Sequence, residues 1–189
     1  MDEVRRSYAA VAEQYIDLFG TTAKMHDDDL ALIRCHLSIH PGVVLDNGCG
    51  PGHLTAYLRS LDVDAYGIDL VTEFIDHARV SYPCGRYEIG SMHRLPFADH
   101  SVAGILAWYS LIHLCPDELD GVLLAGRRTG RPPPADRFHR GRALAAAGRN
   151  GNGASTARSH RNDRTLTASA PELRAAVATG RAHSVFVLR

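Results

Sequence analysis

Residues 43–52 read Val-Val-Leu-Asp-Asn-Gly-Cys-Gly-Pro-Gly, and this stretch decides the fold. A short apolar run ends in an acid and is followed by three closely spaced glycines, which is typical of a buried parallel strand that turns into a helix. The pair Pro41-Gly42 breaks the chain directly before it. The stretch therefore predicts the first strand-loop-helix unit of an α/β protein.

The segments on either side alternate in pattern. Apolar residues at helical spacing predict helices over residues 2–18 and 27–38, and the acids Asp27 to Asp29 are candidate caps of the second helix. The alternative for this acidic triplet is a metal or substrate site. After the glycines we predict, in order, a helix, a strand, a helix and two more strands, over residues 53–61, 65–68, 72–80, 87–89 and 102–108. This alternation predicts a Rossmann-like α/β fold, a doubly wound parallel sheet with helices on both faces.

The glycine loop is suited to bind a ligand through its backbone. Gly48, Gly50 and Gly52 would let a ligand approach the free amides at the start of the helix. Asp46 would repel a phosphate by several kcal/mol at an effective dielectric of about 20, so it favours a cationic ligand. Position 53 is His where the dinucleotide fingerprint continues to a third glycine, which argues against a dinucleotide. The simpler alternative is a loop that only turns the chain.

Asp69 ends the second predicted strand, 21 residues beyond Gly48. A carboxylate at this place can accept hydrogen bonds from both hydroxyls of a ribose, as it does for nucleotides in related folds. A turn-forming Asp is the alternative. The spacing from the glycine loop favours a ligand-binding Asp69.

The Asp-x-Gly-x-Gly-x-Gly pattern after Val-Val-Leu resembles motif I of class I S-adenosylmethionine (SAM) dependent methyltransferases, in which the loop passes the amino acid part of SAM. The similarity runs from about Ser7 to Val122 and is to the small-molecule type. Residues 88–99 resemble the segment that covers adenine and then reads Leu-Pro-Phe, with Ser91 where the family usually has Asp. The resemblance implies that SAM is bound by Asp46, Gly48, Gly50, Gly52, Asp69, Leu70, Ser91, Met92 and Ala107.

The resemblance assigns no catalytic residue. Methyl transfer is a displacement at carbon for which holding the nucleophile in line and excluding water can suffice. His113 is a candidate base for an oxygen or nitrogen nucleophile because its unperturbed pKa lies near 6.5, and a structural histidine is the alternative. Tyr8 and Tyr15 match the helical lid that covers SAM in the family, or else a core stripe at helical spacing.

Metal sites, disulfides and membrane segments are not expected. The four cysteines form no Cys-x-x-Cys pair, and His36 and His40, four residues apart, are more typical of a solvated helix face than of a metal site. No run of eighteen apolar residues occurs, and the N-terminus is acidic. We expect a cytoplasmic protein with a small-molecule substrate and no membrane partner, and the sequence indicates no oligomeric state.

Composition and charge change after Ala125. Residues 1–125 hold 18 acids against 8 Lys and Arg, whereas residues 126–189 hold 13 Arg, no Lys and 3 acids. The second part also lacks Ile, Met, Tyr, Trp, Cys and Gln, so it resembles an out-of-frame reading of a GC-rich gene. We therefore predict a methyltransferase domain over 1–125 and an Arg/Ala/Gly/Pro-rich tail over 126–189 that is largely disordered.

Because of this tail, the later strands of the fold cannot be recognised in the sequence. Strands one to four are recognisable, but strands five to seven are missing or unrecognisable, and residues 184–188 are the only clear strand candidate beyond them. Three functions follow from the whole chain. The first is a SAM-dependent methyltransferase acting on a small molecule. The second is a truncated or frameshifted remnant without activity, and the third, ranked last, is a nucleic-acid-binding protein that uses the Arg-rich tail.

Overall fold

A computed structural model describes residues 2–39 and 41–129, together with three short strands near the C-terminus. At its centre are four parallel strands, β1 (Val43–Asn47), β2 (Asp64–Asp69), β3 (Arg86–Ile89) and β4 (Val102–Trp108). They lie in the order β3-β2-β1-β4, with β1 between β2 and β4. The predicted parallel sheet of strands one to four is confirmed.

The register of the two central strands brings their carboxyl ends together. Asn47 of β1 pairs with Ile68 of β2, so the glycine loop and Asp69 leave the sheet side by side at one edge. Parallel α/β sheets bind ligands at this edge, where the strand order reverses and the loops diverge. Here the strand order reverses at β1, which has β2 on one side and β4 on the other.

Six helices accompany the sheet in the described part of the chain. They are α1 (Asp2–Ala10), α2 (Ala12–Phe19), α3 (Asp27–Leu37), α4 (His53–Ser60), α5 (Thr72–Ser81) and α6 (Pro116–Thr129). The single helix predicted over residues 2–18 is two helices, because the backbone breaks at Val11 with φ of −121° and ψ of 17°. None of the helices in these ranges is long and apolar enough to cross a membrane.

The cap of α3 differs from the prediction. Asp27 to Asp29 lie inside the first turn of the helix, and the capping side chain is that of His26. Its Nδ1 accepts a hydrogen bond from the Asp28 amide at 3.2 Å. The three acids instead oppose the partial positive charge of the helix N-terminus. Their carboxylates therefore do not accept the capping hydrogen bond of α3.

Alternating residues of the strands pack apolar cores on both faces of the sheet. Val44 faces a cluster completed by α3 and α4, which contains Ile33, Leu37, Leu54 and Leu58. The next residue, Leu45, belongs to a second cluster with Ile68, Leu95, Val102 and Ile105. Since successive side chains of a strand point to opposite faces, both faces of β1 are buried. This is the doubly wound arrangement that the sequence predicts.

The sheet continues beyond β4 with three antiparallel strands. They are β5 (Ala143–Ala145), β6 (Leu166–Ala168) and β7 (Val185–Leu188). The strand candidate at residues 184–188 forms β7, which pairs with β4, and β5 lies between β7 and β6. Among the strands that the structure describes, no parallel strand follows β4.

The boundary predicted after residue 125 falls within α6. This helix continues to Thr129, which is buried and whose hydroxyl lies 3.2 Å from the Ala125 carbonyl oxygen and 3.1 Å from that of Gly126. The prediction of a disordered tail concerns mostly residues that lie outside the described ranges.

A leucine-to-alanine pair tests the core on the α4 side of the sheet. Leu58 is fully buried, so Leu58→Ala should lower the free energy of unfolding by about 2–5 kcal/mol through lost burial and the cavity left behind. Leu124 is 66% exposed, and Leu124→Ala should change it by less than about 0.5 kcal/mol. Urea unfolding followed by circular dichroism measures both. Equal effects of the two substitutions would contradict this packing.

Candidate functional site

The glycine loop between β1 and α4 folds over the end of β2. The amides of Gly48 and Cys49 both donate to the Ile68 carbonyl, at 2.8 and 2.9 Å. Gly48, Gly50 and Gly52 all have positive φ, at 81°, 52° and 86°. Residues other than glycine rarely adopt this backbone, which explains the repeated glycines that the sequence shows.

Asp69 fixes the loop in place. One oxygen of its carboxylate, Oδ2, accepts from the Gly50 amide at 2.9 Å, and the other, Oδ1, accepts from the Val71 amide at 2.9 Å. Asp69 also lines the smaller chamber, from which the ribose hydroxyls of the predicted ligand would approach it. Asp69 therefore organises the loops after both β1 and β2, a role that the sequence did not reveal.

The three glycines meet different surroundings. A Cβ at Gly48 would collide with Ser110, and one at Gly52 would lie 2.6 Å from the Ala78 Cβ. These two positions need glycine for close packing of the chain. A Cβ at Gly50 would meet no atom within 4 Å. Of the three, Gly50 is therefore the one whose missing side chain leaves open space.

A cleft with two chambers opens beside this loop. The smaller chamber has a volume of about 80 Å³ and lies along Asp69, Leu70 and Met92. The larger chamber has a volume of about 470 Å³ and extends along Asp29 and His53. Ligand sites commonly have volumes of about 300–1,000 Å³, a range that includes the larger chamber. Both chambers share a set of lining residues, namely Tyr8, Tyr15, Gly48, Gly50, Trp108 and Tyr109.

The cleft brings together most of the predicted cofactor residues. Lining residues among them are Asp46, Gly48, Gly50, Asp69, Leu70 and Met92. Three others do not line it. Gly52 packs against α5 and Tyr87, and Ala107 is 3% exposed within β4. The Ser91 hydroxyl accepts from the His93 amide at 3.3 Å, beside the lining residue Gly90.

The candidate base His113 follows the wall of the cleft in sequence. His113 ends a short 3-10 turn, Leu111–His113, that follows the cleft wall after β4. Its side chain is outside the part of the structure that is described. Its role as a base stays a prediction.

Tyr8 and Tyr15 both pack in a core and line the cleft. Tyr15 contacts Phe74 of α5 with ring centroids 5.1 Å apart, and Tyr8 meets Tyr15 edge to face at 5.4 Å. Burial, helped by the nearby Tyr8 and Asp69, raises the pKa of Tyr15 to about 12. These side chains stay neutral at physiological pH. They form an aromatic wall that joins the N-terminal helices to the binding edge of the sheet.

The segment after β4 forms the opposite wall. Tyr109 has a positive φ of 54°, a backbone conformation that costs a side-chain-bearing residue free energy and often marks functional sites. The Ser110 hydroxyl donates to the Asn47 carbonyl at 2.7 Å and so ties this wall to the end of β1. The Trp108 and Tyr109 rings lie 5.5 Å apart.

Polar atoms beneath the loop are buried without partners. Asp46 is 1% exposed; its Oδ2 accepts from the Thr55 hydroxyl at 2.7 Å, while its Oδ1 has no hydrogen-bond partner among the described residues. Asn47 Oδ1 and His53 Nδ1 are also buried and have no hydrogen-bond partner among the described residues. Burial raises the pKa of Asp46 to about 7 and lowers that of His53 to about 4. In the described ranges, no group of three His, Cys, Asp or Glu residues is arranged to hold a metal ion.

The raised pKa of Asp46 predicts a pH-dependent stability. The folded carboxyl has a pKa of about 7 against 3.8 for the ordinary group, so its stabilising contribution is present below pH 4 and is lost as the pH rises through 7. The difference in unfolding free energy between the wild type and Asp46→Asn should therefore fall by up to about 4 kcal/mol over this interval. Urea unfolding at several pH values measures it.

His53 provides a control of opposite sign. Its pKa is lowered from 6.5 to about 4, so its contribution is present above pH 6.5 and is lost as the pH falls through 4. The difference in unfolding free energy between the wild type and His53→Gln should therefore rise as the pH increases from 4 to 6.5, whereas that for Asp46→Asn falls. A difference for Asp46→Asn that stays constant from pH 4 to 8 would contradict the buried carboxyl.

Comparisons with known proteins agree with this geometry. A family profile described as a methyltransferase domain matches residues 44–132. The chain is 37% identical over 73 residues to the malonyl-[acyl-carrier protein] O-methyltransferase of Pectobacterium atrosepticum, covering 39% of this chain and 28% of that protein. It is 28% identical over 128 residues to the enzyme of the same name from Pseudescherichia vulneris, covering 64% of this chain and 50% of that protein. The chain thus spans half or less of the length of these curated relatives.

A solved structure shows the same similarity in three dimensions. The TehB-like SAM-dependent methyltransferase of Corynebacterium glutamicum superposes with a TM-score of 0.55 and 25% sequence identity, covering 64% of this chain and 67% of that chain. These matches agree with the family expectation from the glycine loop. In its four parallel strands, its glycine loop and these matches, the chain is similar to class I SAM-dependent methyltransferases.

Proposed function

We propose that this protein binds SAM at the glycine loop and transfers its methyl group to a small molecule held in the larger chamber. The observation that carries the proposal is the open backbone at Gly50, which is held by Asp69 and lines both chambers. A ligand lying along this loop reaches both chambers. The methyl group and its acceptor could therefore meet within a single cleft.

The chemistry of the lining fits SAM. SAM supplies an electrophilic methyl group on a positively charged sulfur and carries a ribose, an adenine and an amino acid. The unpartnered oxygens of Asp46 and Asn47 can accept hydrogen bonds and favour positive charge near the loop. Asp69 can accept from the ribose hydroxyls, and Met92, which lines the smaller chamber, can pack on the adenine ring. These assignments keep the orientation that the family resemblance implies.

The surrounding residues would position the reactants and exclude water. Tyr8 and Tyr15 cover the loop from the N-terminal helices, while Trp108 and Tyr109 form the facing wall. A displacement at carbon is accelerated chiefly by holding the nucleophile in line in a dry site. No strong base is needed for an acceptor that is already deprotonated, and His113 remains a candidate where one is needed.

The acceptor is proposed to be a small molecule for two reasons. The larger chamber, at about 470 Å³, has the volume of a small-molecule site. The curated relatives are named malonyl-[acyl-carrier protein] O-methyltransferases, and a malonyl group is small even though a protein carries it. This chain spans half or less of the length of those relatives.

The second candidate is a remnant that binds SAM but transfers nothing. It is favoured by the strands beyond β4, which are short and antiparallel where the family resemblance implies a long apolar fifth strand. Formation of S-adenosylhomocysteine from SAM with a mixture of small metabolites separates the two. Turnover above the rate without acceptor supports the enzyme, whereas tight SAM binding with no turnover supports the remnant. Nucleic-acid binding by the Arg-rich tail concerns residues outside the described ranges.

Two glycine-to-alanine variants test the proposed SAM site. A Cβ at Gly50 would enter the open space beside the loop, so Gly50→Ala should weaken SAM binding about tenfold or more in isothermal titration. Gly121 also has no atom within 4 Å of a new Cβ but lies in α6, far along the chain from the loop, so Gly121→Ala should leave the dissociation constant unchanged. Thermal unfolding without ligand checks that both variants fold. Unchanged SAM binding by a folded Gly50→Ala protein would contradict the site.

A further inference from the structure

The walls of the larger chamber combine aromatic rings with acids. Phe19, Trp108 and Tyr109 line it from α2 and from the end of β4, in addition to the shared Tyr8 and Tyr15. Phe19 is 52% exposed, so the aromatic lining reaches the solvent. Aromatic faces attract cations through the negative charge above the ring, and this attraction strengthens where water is excluded.

Asp29 places a carboxylate in this wall. It lies in the first turn of α3, is partly buried, and burial raises its pKa, with His26 acting against that shift and Asp28 adding to it. Asp29 also raises the pKa of Tyr109, after burial, so its charge is felt at the facing wall. Asp29 and Tyr109 thus line the same chamber.

Little positive charge balances the acid. Among the described residues that line the larger chamber, Lys24 is the one Lys or Arg, and its ammonium donates to the Asp17 carbonyl at 2.6 Å. His26 is exposed, and its Nδ1 caps α3 and lies 3.5 Å from the Asp28 carboxylate. The described lining of the larger chamber therefore holds one Lys beside the acids Asp29 and Asp46, and Arg5 lines the smaller chamber.

Deeper in the chamber a second acceptor atom is unpartnered. Asp46 lines the larger chamber, is 1% exposed, and its Oδ1 has no hydrogen-bond partner in the described part of the chain. Buried polar atoms are nearly always paired, so an unpaired oxygen in a cavity wall indicates a missing donor. A bound molecule with N–H groups would supply one. The proposed function gives this atom to SAM, so Asp29 is the carboxylate assigned to the acceptor.

We propose that the acceptor is an amine attached to an aromatic or other apolar group, and that Asp29 is the residue that selects it. The proposal rests on the proposed methyltransferase function and names its substrate class. The apolar part of the acceptor would lie against the aromatic wall, and its ammonium group would bind the Asp29 carboxylate. A carboxylate acceptor of the same shape would instead face Asp29, with Lys24 as the one Lys or Arg in the described lining to offset the repulsion. The proposed amine thus differs from the oxygen acceptor that the names of the curated relatives imply.

The reaction balances with Asp29 as the first proton acceptor. The ammonium group passes one proton to the carboxylate and becomes a neutral amine. The amine lone pair then forms the new bond between nitrogen and the methyl carbon, while the bond from that carbon to sulfur breaks and its electron pair stays on the sulfur. Asp29 releases its proton to solvent through the exposed mouth of the chamber. The products are a methylated ammonium and an uncharged thioether.

A pair of isosteric probes tests the substrate class. Phenethylamine and phenylacetate carry the same ring on a short chain but have opposite charges at neutral pH. Isothermal titration of each into the protein saturated with S-adenosylhomocysteine measures binding without turnover, and release of S-adenosylhomocysteine from SAM measures turnover. We expect phenethylamine to bind at least tenfold more tightly than phenylacetate and to be the one methylated.

Neighbouring aspartates provide matched variants. Asp29→Asn should weaken phenethylamine binding tenfold or more and also lower kcat, because Asn neither attracts the ammonium by charge nor accepts its proton, and Asp29→Glu should restore part of both losses. Asp28 is exposed and does not line the chamber, so Asp28→Asn should stay within twofold of the wild type. The SAM dissociation constant should be unchanged in all three variants.

The outcomes separate this proposal from the function on which it rests. Tighter binding or faster methylation of phenylacetate, binding of neither probe while SAM still binds, or an Asp29→Asn protein that binds phenethylamine like the wild type would each overturn the amine proposal and leave SAM binding intact. Failure of the wild type to bind SAM or S-adenosylhomocysteine would overturn the proposed function and the amine proposal together.

Discussion

The carboxylate of Asp69 holds the binding edge of this protein together. It accepts the amides of Gly50 and Val71, each at 2.9 Å, and so joins the loop after β1 to the turn after β2. A carboxylate that accepts two amides is a charge-assisted link, roughly twice as strong as a neutral pair. Without it the glycine loop, which has left-handed backbone at three positions, would lose its side-chain link to the turn after β2.

The position of Asp69 depends in turn on the sheet. Parallel pairing of β1 with β2 brings Asn47 beside Ile68, and the buried clusters on both faces leave little room for another register. The Ile68 carbonyl also receives the amides of Gly48 and Cys49. The cleft is therefore a consequence of how two short apolar strands pair, and the N-terminal helices and the segment after β4 then form its walls.

Sequence reasoning succeeded where local pattern decides structure. The apolar run before Asp46, the spaced glycines and the acid at 69 predicted the sheet, the loop and the edge where they meet. It failed where a side chain finds a distant partner. The bond of Ser110 to Asn47, that of Thr55 to Asp46 and the left-handed Tyr109 join residues with no local signature.

The sequence was also a poor guide to which side chains of a motif enter the cleft. The motif predicts that Ala107 and Gly52 contact the cofactor. The side chain of Ala107 is instead buried by the alternation of β4, and Gly52 packs closely against α5. In both cases the neighbouring residue is the one that lines the cleft: Trp108 in the first, His53 in the second. A pattern of residue types fixes which segment reaches a site more reliably than which side chain enters it.

The most direct measurement is a crystal structure of the protein with S-adenosylhomocysteine. The account predicts the amino acid part of the ligand along the loop at Gly48 and Gly50, the ribose hydroxyls on Asp69, and the adenine beside Met92. Part of the larger chamber should remain open for an acceptor. A ligand bound away from this loop, or a protein that crystallises without it at saturating concentration, would contradict the central claim.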